Sequence, residues 1–300
     1  MNKLLLIGSK GFIGSALYDY FTASGLWEVW GCDVVTDYVA SRYYLIDATN
    51  ADYQDVFQSN DFSVCINCSG AASVPDSLIH PLRDYHLNTK NIIHILEAIR
   101  LYAPRCKFLN LSSAAVYGNP VALPVAEDAV PAPLSPYGWH KYQSELLCKE
   151  YSQVHGIATC SARIFSAFGP GLKKQLFWDW NRKIDDADDI VLFGTGGESR
   201  DFIYIDDILK ALECIVNNSL FQAEAINVAN GEEIFIRDAI QLFQHYHAKN
   251  FTYSFSNEMR VGDPVNWFAD INKLTALGYK QKVTFEMGIE SYLQWLVEKR

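Results

Sequence analysis

Positive charge is what this chain most plainly lacks. Its 300 residues carry 25 Lys and Arg against 35 Asp and Glu, a net charge of −10, and the basic residues form no cluster. That balance argues against a nucleic-acid binder, which holds phosphates with many lysines and arginines on one face. A small anionic substrate stays open, because a few local arginines suffice for it. Long apolar runs are missing too. The stretch Leu4 to Ile7 is far too short for a signal peptide or a membrane span and passes straight into glycines, so it reads as a first buried strand without membrane attachment. Seven scattered cysteines, an odd number, fit a reducing cytoplasm better than a disulfide framework. Cys65 and Cys68 form a C-x-x-C, but residues three apart on a strand face opposite sides and no second pair follows. Core packing, not zinc, is the reading. The histidines are scattered as well: His245 and His247, two apart on a predicted helix, diverge, so no metal is expected.

What is present begins with Gly8-x-x-Gly11-x-x-Gly14, directly after the apolar strand and opening a helical pattern through Phe21. Glycines there let the chain turn tightly and bring backbone N–H groups against a pyrophosphate at a helix N-terminus. A second strand, Trp27 to Cys32, ends at Asp33, 19 residues after Gly14. An acid in that place accepts hydrogen bonds from ribose hydroxyls and repels a 2′-phosphate, which favours NAD over NADP. The bland alternative is a solvated acid at a strand end. Strands are predicted at 43–46, 63–67 and 107–111, with helices near 52–58 and over 87–101. This alternation means a parallel sheet covered by helices on both faces.

The most chemical stretch runs from Leu109 to Lys141. Ser113 sits where its strand gives out, and Tyr137 and Lys141 stand four apart, hence on one helix face. A hydroxyl, a phenol and an ammonium at the carboxyl end of a sheet suggest proton transfer, the cation lowering the cost of a phenolate. A Tyr-x-x-x-Lys pair is also what an ordinary surface helix turn can contain. After a helix over 137–154 and a strand over 157–165, the segment 172–200 reads as irregular. Residues 168–202 and 231–300 are expected to form a smaller, interrupted second domain against 1–167 and 203–230, with a ligand cleft between them.

Taken together, GSKGFIG (8–14), Asp33, Asp47, SSAAVYG (112–118), SPYGWHK (135–141), ARIFSAFGPG (162–171), GTGGESRDFIYIDD (194–207) and MRVGDP (259–264) resemble an extended short-chain dehydrogenase/reductase of the NAD-dependent sugar epimerase/dehydratase family, over essentially the full length. The resemblance implies an α/β fold: a Rossmann-type doubly wound parallel sheet with a smaller α+β substrate domain. It implies that Gly8, Gly11, Phe12, Ile13 and Gly14 cradle the cofactor pyrophosphate, Asp33 its ribose, and Asp47 with Ala48 its adenine. Ser69, Gly70 and Asn88 would touch the middle of the cofactor, and Phe165 would border the nicotinamide. Tyr137 would be base and acid at a sugar hydroxyl, with Ser113 hydrogen-bonding the same oxygen; Lys141 would bind the nicotinamide ribose and lower the tyrosine pKa, so that Tyr137 and Lys141 border the cofactor too. Ser166, Phe193, Arg200 and Arg260 would meet a nucleotide diphosphate sugar, the arginines gripping phosphates. The bland readings are a salt bridge from Arg200 to Asp201 or Glu198, and plain core for Phe193. Relatives dimerise through the 88–101 and 137–154 helices, so a homodimer is implied.

The reaction type is narrowed by two residues without chemistry. Sugar-nucleotide dehydratases of the family carry Asp-Glu after the Ser/Thr; here Ala114 and Ala115 stand there. Elimination needs an acid and a base beyond the tyrosine, which disfavours a dehydratase. A 4-epimerase that keeps its NAD, or a 4-ketoreductase that exchanges it, remain, with the epimerase preferred. Ser166 stands where UDP-hexose epimerases usually have Asn, so sugar and base are left unnamed. A non-catalytic NAD sensor on the same fold is disfavoured because Ser113, Tyr137 and Lys141 are all present.

Overall fold

A computed structural model describes residues 1–299. Seven parallel strands form its central sheet: β1 (Asn2–Ile7), β2 (Trp27–Asp33), β3 (Tyr43–Leu45), β4 (Val64–Asn67), β5 (Lys107–Ser113), β6 (Thr159–Ile164) and β7 (Gln222–Val228). Their spatial order is β7-β6-β5-β4-β1-β2-β3. The chain runs outward from β1 to β3, then returns to lay β4 on the other side of β1. Between the carboxyl ends of β1 and β4 the direction of winding reverses, and crevices for ligands open at such points.

β1 shows why the sheet is buried on both faces. Leu4 and Leu6 enter one apolar cluster, while Leu5 and Ile7 enter a second on the opposite side. A strand with two covered faces needs apolar residues throughout rather than in alternation. Cys65 joins the second cluster and Cys68 packs against the first, as strand geometry requires. The predicted helix over 87–101 is split: a π-helical turn, His86–Lys90, precedes the α-helix Asn91–Tyr102.

The stretch read as irregular is largely ordered. It contains a helix, Gln175–Asp186, and a strand, Asp189–Leu192, paired in parallel with Thr252–Phe255. Phe177, Trp180 and Ile184 are its buried face, spaced three and four apart. The neighbouring acids, Asp185 to Asp189, hid that period in the sequence. Phe168 packs edge-on against Phe177, Phe202, Tyr204 and Phe285, so one apolar cluster continues from the sheet into the C-terminal helix Phe285–Glu298. A further set of bonds staples the loop after Ser113 to the segment 265–270. Trp267 Nε1 donates to Gly118 O at 3.0 Å, Val265 N to Asn119 Oδ1 at 2.7 Å, and Val125 N to Phe268 O at 2.7 Å. Among the described residues no helix is long and apolar enough to cross a membrane, and no group of three or more His, Cys, Asp or Glu is placed to hold a metal ion.

Candidate active site

The glycine loop is shaped by what it touches. Gly8 has φ 80, and a Cβ there would lie 2.6 Å from Ser69 N, so the loops after β1 and β4 meet backbone to backbone. A Cβ on Gly14 would lie 2.0 Å from Gly8 O, which lets the helix Phe12–Ser24 start hard against the strand end. Gly11 caps this helix without any side chain, so none competes for the N–H groups of the first turn at the positive helix end. Asp33 closes the far side. Its Oδ2 accepts the amide of Lys10 at 2.8 Å, and its Oδ1 the amides of Val34 at 2.7 Å and Val35 at 3.3 Å. Asn88, on the π-helical turn, lies beneath Gly70; both polar atoms of its side chain are buried without a partner.

The second group is assembled by the helix Pro136–His155. Ser135 caps it by accepting Gly138 N at 3.2 Å, and Pro136 presets its first turn. Gly138 lies so close to the turn after Ser113 that a Cβ would be 2.6 Å from Ala115 O. That contact sets the Tyr137 phenol beside Ser113, near enough for the serine to favour the phenolate. Lys141 Nζ donates to Leu111 O at 2.8 Å and stands 5.9 Å from the Tyr137 ring centre.

The electrostatics differ from the sequence expectation. Burial pushes the Tyr137 phenol up to about 12, against the hydrogen bond from Ser113; the charge of Asp84 raises it further. Burial likewise brings the Lys141 ammonium down to about 8, with Asp84, Cys68 and Glu145 opposing. The lysine therefore does not by itself poise the phenol near neutrality. Desolvation of a phenolate outweighs the cation's help. Asp84 was not foreseen. It is buried, meets His140 Nδ1 through Oδ1 at 2.6 Å, and leaves Oδ2 without a partner. The position of His140, next to Lys141 in SPYGWHK, was the one sequence signal.

A single cavity of about 610 Å³ joins these groups to the second half of the chain. Gly11, Phe12, Ile13, Ser69, Gly70, Ser113, Tyr137, Lys141, Phe165, Ser166, Phe193, Arg200 and Arg260 all line it. Gly8, Gly14, Asn88 and Asp33 are not among its lining residues: Gly8 abuts Ser69 and Asn88 abuts Gly70, which do line it, Gly14 abuts Gly8, and Asp33 holds the amide of Lys10, next to Gly11. Asp47 and Ala48 are exposed and outside it; Asp47 is engaged with the amide and hydroxyl of Thr49, both at 2.7 Å. Lys174 and Lys183, which sequence reasoning passed over, also line the cavity.

Neither bland reading of the cationic end holds. Glu198 accepts bonds from Thr195 and Gly196, while Asp201 accepts four backbone amides, those of Asn230, Gly231, Glu232 and Ala269. Arg200 instead donates to Ser199 O at 2.8 Å and Val265 O at 3.1 Å, its guanidinium 5.6 Å over the Trp267 ring. Phe193 is 47% exposed rather than core, with the Arg260 guanidinium 4.3 Å above it.

The model of the NAD dependent epimerase/dehydratase family matches residues 4–229. The chain belongs to that family. A UDP-glucuronate 4-epimerase of Thermodesulfobacterium geofontis is 27% identical over 319 residues, covering 99% of this chain and 97% of the relative. The crystal structure of UDP-glucuronic acid 4-epimerase from Bacillus cereus, in complex with UDP-glucuronic acid and NAD, superposes with a TM-score of 0.89 at 27% identity, over 99% of this chain and 100% of that one. An NDP-hexosamine 5,6-dehydratase of tunicamycin biosynthesis shares the fold at a TM-score of 0.86 and 23% identity, covering 99% and 98%.

For this member of the epimerase/dehydratase family, the residues present fit NAD. The glycine cradle would be filled by any Cβ, the helix end is free of side-chain caps, and Asn88 offers a buried amide with nothing bonded to it. The two alanines are also informative. Ala115 lines the cavity, whereas Ala114 packs into an apolar cluster with Val116, Tyr117 and Phe165. The carboxylates that do line the cavity, Asp179, Glu198 and Asp263, are occupied elsewhere. Asp179 faces Arg260 at 3.7 Å, Glu198 is bonded to the 195–196 turn, and Asp263 feels both Arg200 and Arg260.

Proposed function

We propose that this enzyme is an epimerase of a nucleotide-diphosphate sugar, inverting C4 through a transient 4-keto intermediate. The observation that carries the proposal is that one cavity joins the Ser113–Tyr137–Lys141 group to Arg200, Arg260 and Phe193. Residues 1–167 and 203–230 would form the NAD-binding part, and 168–202 with 231–300 the sugar-nucleotide part.

Arg200 and Arg260 would hold the diphosphate through charge-assisted hydrogen bonds, and Phe193 would pack on the base. Tyr137 takes the proton of the 4-hydroxyl, while Ser113 donates a hydrogen bond to the same oxygen. NAD, when bound, supplies the acceptor and donor of the C4 hydride and a positive ring charge that favours a phenolate. With the 4-keto sugar turned about its diphosphate link, Tyr137 returns the proton to the oxygen, now on a carbon of opposite configuration. Atoms and electrons balance within one turnover, so no second substrate is needed. Ala114 and Ala115, which put no carboxylate directly after Ser113, are what weigh against elimination.

Kinship with UDP-sugar 4-epimerases supports a UDP-linked hexose or uronate as substrate. Exposed Ile93, Leu101, Trp139, Leu146 and Val154 on the helices Asn91–Tyr102 and Pro136–His155 support a homodimer through those helices. To test the reading, the purified protein is denatured and the released nucleotide assayed; the intact protein is then followed by proton NMR with UDP-hexoses. Stoichiometric NAD and interconversion of the 4-epimers are expected. A nucleotide-free protein that consumes NADH on a 4-keto sugar nucleotide would replace the epimerase with a ketoreductase.

A further inference from the structure

Lys10 stands between Gly8 and Gly11 in the loop placed at the cofactor, and its amide is bonded to Asp33. A lysine there could neutralise a 2′-phosphate and undo the selection that Asp33 provides. Its ammonium, however, is engaged. Nζ forms a close ion pair with Asp37 Oδ2 and lies 5.1 Å over the Tyr43 ring. The pair is held from both sides. Asp37 Oδ1 accepts the amides of Val39 at 2.9 Å and Ala40 at 3.0 Å, and the Tyr43 hydroxyl is bonded to Val35 O in the same loop. Those bonds, led by the one from Lys10, hold the Asp37 carboxyl down to about 2. Ser9 and the Tyr43 ring both press on Gly31, each 2.9 Å from where its Cβ would lie, so the lysine's support is packed against β2. The other basic residue of this region, Arg42, acts on Glu28: after the stronger hydrogen bond from Trp30, its charge lowers that carboxyl.

We infer that Asp37 is a cofactor-selecting residue, which withdraws the charge of Lys10 so that a 2′-phosphate would meet two carboxylates and no free cation. The inference rests on the reading that Asp33 faces the adenosine ribose. Selection against the phosphorylated dinucleotide is thus shared by a direct acid, Asp33, and an indirect one, Asp37, four residues further along one loop. An exposed ion pair contributes little to stability, so its loss should leave the fold intact. At ordinary ionic strength a neighbouring lysine still attracts a dianionic phosphate within the loop's few ångströms.

The test is calorimetric titration of NAD and NADP into the full-length chain freed of nucleotide. Asp37→Asn keeps an acceptor for Val39 and Ala40 while removing the charge; Asp37→Ala is the second variant. We expect NADP to bind Asp37→Asn at least tenfold tighter than the wild type, with NAD affinity changed less than threefold. Adding Lys10→Met should abolish the gain, and raising salt should erode it. An unchanged NAD-to-NADP ratio in both Asp37 variants, or a gain that survives Lys10→Met, would overturn the inference. Asp33→Ala separates the two levels: if it binds NAD as the wild type does, the placement of the ribose itself is wrong.

Discussion

The carboxylate of Asp84 meets the imidazole of His140 at 2.6 Å, one residue away from Lys141, and leaves its second oxygen buried without a partner. This negative charge acts on the proposed catalytic pair: it raises both the Tyr137 phenol and the Lys141 ammonium. Removing it by Asp84→Asn should therefore lower both, and the acidic limb of the kcat/KM profile should move to lower pH. At an effective dielectric near 20, a charge about 6–12 Å away corresponds to a shift of about one to two pH units. A limb that stays in place, or moves upward, would refute the link.

Tyr137→Phe keeps the ring and its packing and removes only the transferable proton. Turnover should fall by about 10²- to 10⁴-fold, the usual worth of a positioned acid or base, while calorimetry shows NAD affinity within threefold of the wild type. Near-normal turnover would dismiss the proposed mechanism.

Arg200→Ala and Arg260→Ala should chiefly raise KM. Each removes a charged partner of the proposed diphosphate, about 1.5–3 kcal/mol of binding, or roughly 10- to 100-fold. Loss of kcat with unchanged KM in both variants would place the diphosphate elsewhere.

Arg163 lies beneath the site. It holds Glu145 through Nε and Nη2, at 3.0 and 2.8 Å, while Nη1 reaches the Tyr117 hydroxyl at 2.8 Å. Glu145 in turn accepts Ser112 Oγ at 2.6 Å, which ties the last turns of β5 and β6 to the helix of Tyr137. Arg163→Met would leave Glu145 buried and uncompensated, at a cost of about 3–5 kcal/mol, read by urea denaturation. A loss under 1 kcal/mol would mean that the network relaxes without it.

Much of this was legible from residues alone. The glycine spacing, the acid closing β2 and the Tyr-x-x-x-Lys pair are dictated by local geometry, so sequence distance and spatial role coincide. Asp84 was not legible, because its partner lies 56 residues away. The helix over Gln175–Asp186 was missed because the acids flanking it obscured the apolar period. The Tyr137 phenol was misjudged for a related reason: the charge of Lys141 can be read from spacing, whereas the cost of burial is set by the whole fold.

The bonds that staple Gly118, Asn119 and Val125 to the segment 265–270 restrict how the chamber can operate. The loop between Ser113 and Tyr137 and the wall bearing Trp267 are thereby tied to each other. Under the proposed mechanism a sugar that presents both of its faces to Tyr137 would turn, hinged on its own phosphates, between two walls that are bonded together.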